Sequence, residues 1–259
     1  MKIRIHSAQS VIAFIMAVAL LLSMGAGGFP SAVHGEELKA LSEGGESVTT
    51  TTWEQFRSGF GSHDHALARE AGAGEIVIDG SLDEWDDYAE IKLPAKDGQI
   101  QMSGWGGQED LSASVYLAYD DDFLYWAAKV TDNVHETVAG STMWRGDSIQ
   151  FAFGLGGEYG PEYGINEMNG QTNLWQFSEG KATAGTEQIA ASAVQNGNDT
   201  FYEVKMPWAT IAAGKPDADL LPFTLLVNDN DGAGRRGWIE WTEGIGKAKS
   251  PESHAKVHL

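Results

Sequence analysis

The sequence predicts an all-β fold: an antiparallel β-sandwich of about ten short strands, preceded by a signal peptide and a linker. Three features carry this expectation. Short stretches that alternate apolar and polar residues recur through the second two-thirds of the chain, as half-buried strands do. Clusters of Asp, Asn and Gly separate them, and these residues favour tight turns. Very little of the chain keeps the 3.6-residue apolar spacing of a helix. Many short strands without helices bury their apolar faces by stacking as two sheets.

The chain opens on a targeting signal. Lys2, Arg4 and His6 give a basic start, Val11 to Leu22 is almost wholly apolar, and small residues follow, with cleavage expected near Gly28 or Gly35. The apolar run is shorter than a usual spanning helix, so residues 1–35 are expected to be removed, not to anchor. Residues 36–74 read as a linker rich in Ser, Thr, Gly and Glu, interrupted by Trp53, Phe56 and Phe60. His63 and His65 alternate as a strand metal pair would, but no third ligand is close in sequence, and the expectation is an exposed pair. With 37 acidic against 17 basic residues the net charge is −20, which repels nucleic acid and anionic membranes. There is no cysteine, so no disulfide framework, Cys-based zinc site or Cys nucleophile exists. A secreted, extracellular, monomeric domain outside the membrane is expected.

The domain is expected over residues 75–259. Glu75 to Asp79 reads as a short strand and Gly80 as a turn. Ser81 to Trp85 resembles a helix start, with Ser81 as cap, Glu84 three residues on, and Trp85 as a core anchor. Residues 96–110 are Gly- and Gln-rich and form a loop around Trp105. Leu111 to Tyr119 alternates, Asp120 to Asp122 turns the chain, and Phe123 to Val130 returns. Residues 134–142 form a loop that leads into Met143 to Phe153, whose second half alternates as a strand. Gly154 to Gly160 follows a strand, but its glycine spacing and Pro161 exclude a dinucleotide-binding turn. Tyr163 to Asn166 and Thr172 to Phe177 flank a turn at Met168-Asn169-Gly170. Gln188 to Val194 and Thr200 to Met206 form a hairpin across Gln195 to Asp199. Pro207 ends that strand, and Trp208 to Ile211 makes one helical turn. Leu221 to Asn228, Gly237 to Trp241 and Lys256 to Leu259 supply the last strands.

Trp144-Arg145-Gly146-Asp147 at a strand entrance offers a ring and a forked cation, which suit a binding platform. The same residues suit a core ring with a surface ion pair. For Trp85, Trp126, Trp208 and Trp238 a core role is expected. Trp241, at its strand end, is open.

Several motifs, taken in order, resemble family 9 carbohydrate-binding modules. They are Ile78-Asp-Gly-Ser-Leu-Asp-Glu-Trp85, the hairpin at 117–125, Lys129-Val-Thr-Asp132, and Trp144-Arg-Gly-Asp-Ser-Ile-Gln150. Tyr202 to Trp208, Val227-Asn-Asp229 and Trp238-Ile-Glu-Trp241 continue the series, so the resemblance covers residues 75–259. It implies a non-catalytic β-sandwich that binds β-linked plant-cell-wall polysaccharide, cellulose or xylan, or its chain ends. It also implies an associated glycoside hydrolase and structural calcium. In that family a sugar lies between two Trp rings. By position Trp144 is one ring, with Arg145 and Asp147 beside it, and Gln150 stands where a Glu often bonds hydroxyls. Asn166 lies on the next strand, where Gly164 replaces a sugar-bonding Arg. The second ring belongs near Glu243 to Lys249, which holds no aromatic, so Trp175 or Trp105 would have to serve; Trp241, near the site, is a further binding candidate.

Asn228-Asp-Asn-Asp-Gly232 offers closely spaced oxygens, with Asp229 and Asp231 as candidate calcium ligands. It also suits a polar turn. Asp120, Asp122 and Asp132 form a second acidic group with the same two readings. No hydrolase or zinc-protease motif is present, and among 37 acids a glycosidase pair is always available, so it carries no weight. Two alternatives remain. One is a structural interaction domain that has lost its sugar. The other is a haem-binding module using Met102, Met143, Met168, Met206 or His135.

Overall fold

A computed structural model describes residues 64–177, 181–182, 189–212, 215–216 and 220–259. The expected signal peptide, most of the expected linker, Trp53, Phe56, Phe60 and His63 lie outside the described residues. Among the described residues no helix is long and apolar enough to cross a membrane.

Fourteen strands are described: β1 (His65–Leu67), β2 (Arg69–Glu70), β3 (Ile91–Leu93), β4 (Leu111–Tyr119), β5 (Phe123–Asp132), β6 (Ser148–Leu155), β7 (Glu158–Met168), β8 (Gln171–Gln176), β9 (Lys181–Ala182), β10 (Ala190–Asn196), β11 (Asp199–Pro207), β12 (Leu220–Asp229), β13 (Gly237–Glu240) and β14 (Ala255–His258). They form two sheets. The larger runs β1-β14-β12-β6-β7-β8-β9 with β13 also on β12. The smaller runs β10-β11-β5-β4-β2 with β3 also on β4. The only α-helix among the described residues is the expected single turn, α1 (Trp208–Ile211). The strand number exceeds the expected ten because β1, β2, β3 and β9 are pairings of two or three residues, too short to leave an alternation in the sequence.

The tight turns follow their residues. Gly156 and Gly157 (φ +59° and +86°) join β6 to β7, and Asn169 and Gly170 (φ +57° and +77°) join β7 to β8. Two successive positive φ values match the right-handed twist of the strands they connect. At the β4–β5 turn Asp120 Oδ1 accepts from the Asp122 and Phe123 amides, and Asp120 Oδ2 accepts from the Tyr125 hydroxyl.

Both sheets contribute to one core. Trp126 of β5 meets Phe151 of β6 edge-on at 4.9 Å, and Phe151 stacks on Tyr163 of β7 at 5.3 Å. Ile149, Phe151 and Phe153 point inward, as do Phe223, Leu225 and Val227 of β12.

Two boundaries differ from the sequence expectation. Ordered structure begins before residue 75, because β1 runs parallel to β14 and β2 parallel to β4. His65 is therefore half-buried on a strand, its ring 5.2 Å from that of His258, not an exposed linker residue. Glu75 to Asp79 is not a strand. Its end is held by a side chain: Glu203 Oε2 accepts from the Asp79 and Gly80 amides, and Oε1 accepts from the indole of the buried Trp85. A carboxylate replaces the ladder that a strand would need.

Glu203 is fully buried and answers three donors, so Glu203→Ala should cost about 3 kcal/mol or more, at about 1–3 kcal/mol per donor left unsatisfied. Urea denaturation measures this, and a loss under about 1 kcal/mol would mean that water or a neighbour replaces the carboxylate.

Candidate functional site

Strand register builds the site. In a sheet, residues paired across strands face the same side, and neighbours along a strand face opposite sides. Phe151 faces the core, so Gln150 and Ala152 face away. One outward row runs Glu240, Leu226, Gln150, Gly164, Trp175 across β13, β12, β6, β7 and β8. The row above begins Trp238, Asn228, Ser148. The row below runs Thr224, Ala152, Glu162. The outer face of the larger sheet thus carries polar groups and two rings.

Part of this face is covered. Met143 Sδ and the Phe177 ring lie over Gly164, where an added Cβ would come within 2.5 Å and 2.8 Å of them. That is why the position holds Gly, and it leaves no room for an Arg. Ile245 packs over Ala152 and Leu226, with Tyr159 and Trp238 at its margin. Trp238 lies so close to Gly246 that a Cβ there would sit 2.4 Å from the indole.

What stays open is the corner holding Trp144 and Trp238, both half-buried. Trp144 is carried by a 3-10 turn (Gly140–Arg145) that enters β6. Gly146 is required just after it, because a Cβ would meet the Glu136 carbonyl and the Val138 amide at 2.7 Å. Arg235 bridges the rings: its guanidinium carbon lies 5.4 Å from the Trp144 centroid and 4.4 Å from that of Trp238. Arg145 is exposed and lies 5.0 Å from the Trp144 centroid.

A hydrogen-bonded chain floors the corner. Arg235 donates through Nε and Nη2 to Asn228 Oδ1. Asn228 Nδ2 donates to Ser148 Oγ and to Gln150 Oε1, and Gln150 Nε2 donates to Glu162 Oε1. Glu162 also takes the Tyr159 hydroxyl and Lys249. Trp238 Nε1 donates to Glu240 Oε2, and burial pushes the Glu240 carboxyl pKa up.

A second cluster lies where the sheets end. Asp132 closes β5, Asp147 precedes β6 and Asp229 closes β12. Their carboxylate oxygens come within 4.8 Å of one another, and all three are buried. Asp147 accepts from the amides of Glu136 and Asn230. Asp132 Oδ2 and both Asp229 oxygens lack a hydrogen-bond donor. Arg236 Nη1 lies 3.2 Å from Asp229 Oδ2 without aligning to donate, and it also serves Asp110 and Asp231. Burial, reinforced by neighbouring carboxylates, raises the pKa of Asp132 to about 7, of Asp147 to about 9 and of Asp229 to about 6. Buried, hard oxygens at this spacing, three of them without a hydrogen-bond donor, fit a calcium-like cation.

A family model described as "Carbohydrate family 9 binding domain-like" matches residues 78–259. The chain belongs to this carbohydrate family 9 binding-domain-like family. Members of family 9 are non-catalytic binding modules. The chain is similar in fold to a family 9 carbohydrate-binding module from Caldicellulosiruptor kristjanssonii, solved with cellotriose and with glucose. For the cellotriose complex the TM-score is 0.54 at 19% identity, covering 75% of this chain and 93% of that one. For the glucose complex it is 0.54 at 20% identity, covering 75% and 95%. A putative carbohydrate-binding protein from Bacteroides uniformis gives 0.52 at 9% identity, covering 75% and 98%. A search of curated proteins gave no match.

Within this family 9 domain, Trp144 and Arg145 lie at the open corner, and Gln150 lies in its floor with both amide ends engaged. Asp147 does not reach the sheet face. It is 4% exposed and belongs to the carboxylate cluster, because the chain must turn inward to start β6. Asn166 is 0% exposed, and its amide donates to the Val138 carbonyl to hold the 134–142 loop. Trp241 is a core ring, 2% exposed and edge-on to Phe223. Trp105 packs on the core and donates to the Leu111 carbonyl. Trp175 shares the outward row but sits beyond the Met143–Phe177 cover. Of the metal candidates, Asp132 and Asp229 meet. Asp231 pairs with Arg236, Asp120 serves its turn, and Asp122 lies with it at the opposite end of β5. The haem candidates are dispersed. Met206 is in the core, Met143 covers Gly164, Met168 ends β7, Met102 packs near Gly237, and His135 lies 3.3 Å from Glu167.

Sequence reasoning missed Arg235, Asn228 and Trp238 as site residues. Trp238 had a readable signal: in Gly237 to Glu240 the alternation that sends Ile239 inward sends Trp238 outward. Arg235, in a loop, had none.

The raised carboxyl pKa values have a sign. The unfolded chain has them near 3.9, so above that pH the folded, metal-free protein binds more protons than the unfolded one, and its stability falls as pH rises toward 9. In chelator the melting temperature should drop between pH 5 and pH 8, and Asp132→Asn should flatten that slope. An unchanged slope in the variant would remove Asp132 from the cluster.

Proposed function

We propose that this family 9 domain is a secreted, monomeric, non-catalytic module that binds β-linked plant-cell-wall polysaccharide, cellulose or xylan, or its chain ends, and directs a partner glycoside hydrolase to it. The observation that carries the reading is the pair Trp144 and Trp238, half-exposed at one corner of a sheet face above the Asn228–Gln150–Glu162 chain. Pyranose C–H groups pack on aromatic faces, while polar neighbours orient the hydroxyls. The fold neighbours solved with cellotriose and glucose support the same ligand class.

Calorimetry with cello- and xylo-oligosaccharides tests it. Trp144→Ala and Trp238→Ala should each weaken binding about tenfold or more, since truncating an anchoring Trp costs about 2 kcal/mol. Binding unchanged in both variants would overturn the site.

We further propose that Asp132, Asp147 and Asp229 hold a structural calcium ion. An ion there would neutralise the cluster and join the ends of β5, β6 and β12. Removing it with chelator at neutral pH should lower the melting temperature by about 5 °C or more, because saturating ligand at a hundredfold excess over Kd contributes about 2.7 kcal/mol. Asp229→Asn should abolish the response, and a chelator-insensitive wild type would refute the ion.

One observation favours a second reading, an interaction domain without a sugar ligand. Arg235 already lies against both rings, so they are not bare. No heat with any saccharide, from a protein that melts cooperatively, would select it.

A further inference from the structure

Arg235 is set up for something the protein itself does not supply. It is half-buried and reaches both rings, yet among the described residues no carboxylate lies within ion-pair distance of it. Its Nε and Nη2 converge on one neutral oxygen, Asn228 Oδ1, and its Nη1 has no partner among the described residues. Arg145, the second guanidinium against Trp144, has no carboxylate partner among the described residues either. The other two described arginines each have one: Arg69 pairs with Glu75, and Arg236 with Asp110, Asp229 and Asp231. In a chain with 37 acidic and 17 basic residues, two neighbouring arginines without an acid among the described residues form an exception that needs a cause. The acids of the same face are committed elsewhere, Glu162 to Lys249 and Tyr159, and Glu240 to the Trp238 indole. Asp147, two residues from Arg145, is held by the Glu136 and Asn230 amides inside the buried cluster.

Keeping a cation partly out of water without a counter-charge is costly, and burial accordingly pushes the Arg235 pKa down. A bound anion would remove that cost. The planar fork of a guanidinium matches a carboxylate, and stacking on indole holds the fork in one plane. The flanking rings call for a ligand that also has a pyranose face.

We propose that the ligand of this corner is an acidic sugar, a uronic acid residue whose carboxylate pairs with Arg235, assisted by Arg145, while its ring packs on Trp144 or Trp238. The proposal rests on the carbohydrate-binding reading and narrows it to anionic saccharides. The preference is built from charge-assisted contacts, so it is salt-sensitive at the exposed Arg145 and less so at the half-buried Arg235.

Calorimetry at low ionic strength compares three ligands of equal length on the wild-type protein: a β-1,4-linked oligoglucuronate, its methyl ester, and the neutral cello-oligosaccharide. The acid should bind at least tenfold more tightly than the ester or the neutral chain, and Arg235→Gln should reduce that preference to below threefold. The ester comparison needs no variant, so it stands even if Arg235→Gln fails to fold. Equal binding of acid, ester and neutral chain would overturn the acidic-sugar proposal and leave the neutral-sugar reading intact. Binding of none of them would overturn both. Tighter binding of a sulfated cello-oligosaccharide than of the uronate would replace the carboxylate with a sulfate ester and overturn the proposal as stated.

Discussion

The contact between Trp126 and Phe151 sets the phase of the larger sheet. One ring belongs to each sheet, and they meet edge-on at 4.9 Å in the centre of the core. Phe151 must point inward to make that contact, so the strand period of two sends Gln150 and Ala152 outward. Pairing carries the phase to β12, where Leu225 and Val227 go in and Leu226 and Asn228 go out. It reaches β13 next, where Ile239 goes in and Trp238 and Glu240 go out. A slip of one residue at β6 would bury Gln150 and expose Phe151, and with it every row of the outer face. The composition of the candidate site is therefore a consequence of core packing one residue away.

Electrostatics divides the molecule into two charge problems of opposite sign. At the ends of β5 and β12 and the entrance of β6, three buried carboxylates face one another, and among the described residues only Arg236 stands near as a counter-charge. At the outer corner, Arg235 and Arg145 stand by two indoles, and among the described residues no carboxylate pairs with either guanidinium. The two places are joined by short chain segments. Trp144 and Asp147 bracket the start of β6, and Asn228 and Asp229 are consecutive on β12, with one side chain on each side of the sheet. Asn230 ties them further, its amide donating to Asp147 Oδ1 and its side chain to the Arg145 carbonyl. Filling the carboxylate cluster would thus hold the strand ends from which the Trp144 and Arg235 segments project.

Glycine shows how a motif read as chemistry can be a matter of space. In Trp144-Arg145-Gly146-Asp147 the Gly is demanded by the Glu136 and Val138 backbone pressed against it. At Gly164 the missing side chain makes room for Met143 and Phe177, so a departure from the family pattern on one strand is answered by bulk from two other segments. At Gly246 the loop after Trp241 presents a flat backing for the Trp238 indole in place of a ring of its own. Each substitution is intelligible only as one half of a contact.

The sequence by itself determined the fold class, most strands, the Asp and Asn-Gly turns, and the placement of Trp85, Trp126 and Trp208 in the core. These follow from local periodicity and turn chemistry, which depend on neighbours in the chain. It also singled out Trp144 at the entrance of β6. What it could not decide involves residues distant in sequence. β1 exists because the N-terminal segment meets β14, and Glu75 to Asp79 loses its strand character because Glu203 reaches it. Asp147 lies not on the outer face of the larger sheet but in a cluster assembled from three strand ends. Trp238, expected in the core, faces outward, and Trp241, left open, faces inward; they lie three residues apart along an extended segment and so take opposite faces, and only the packing of Ile239 and Phe223 says which is which. Arg235 joins the site from a loop that has no period to read. Local patterns say which side chains share a face, and long-range packing alone says what that face looks onto.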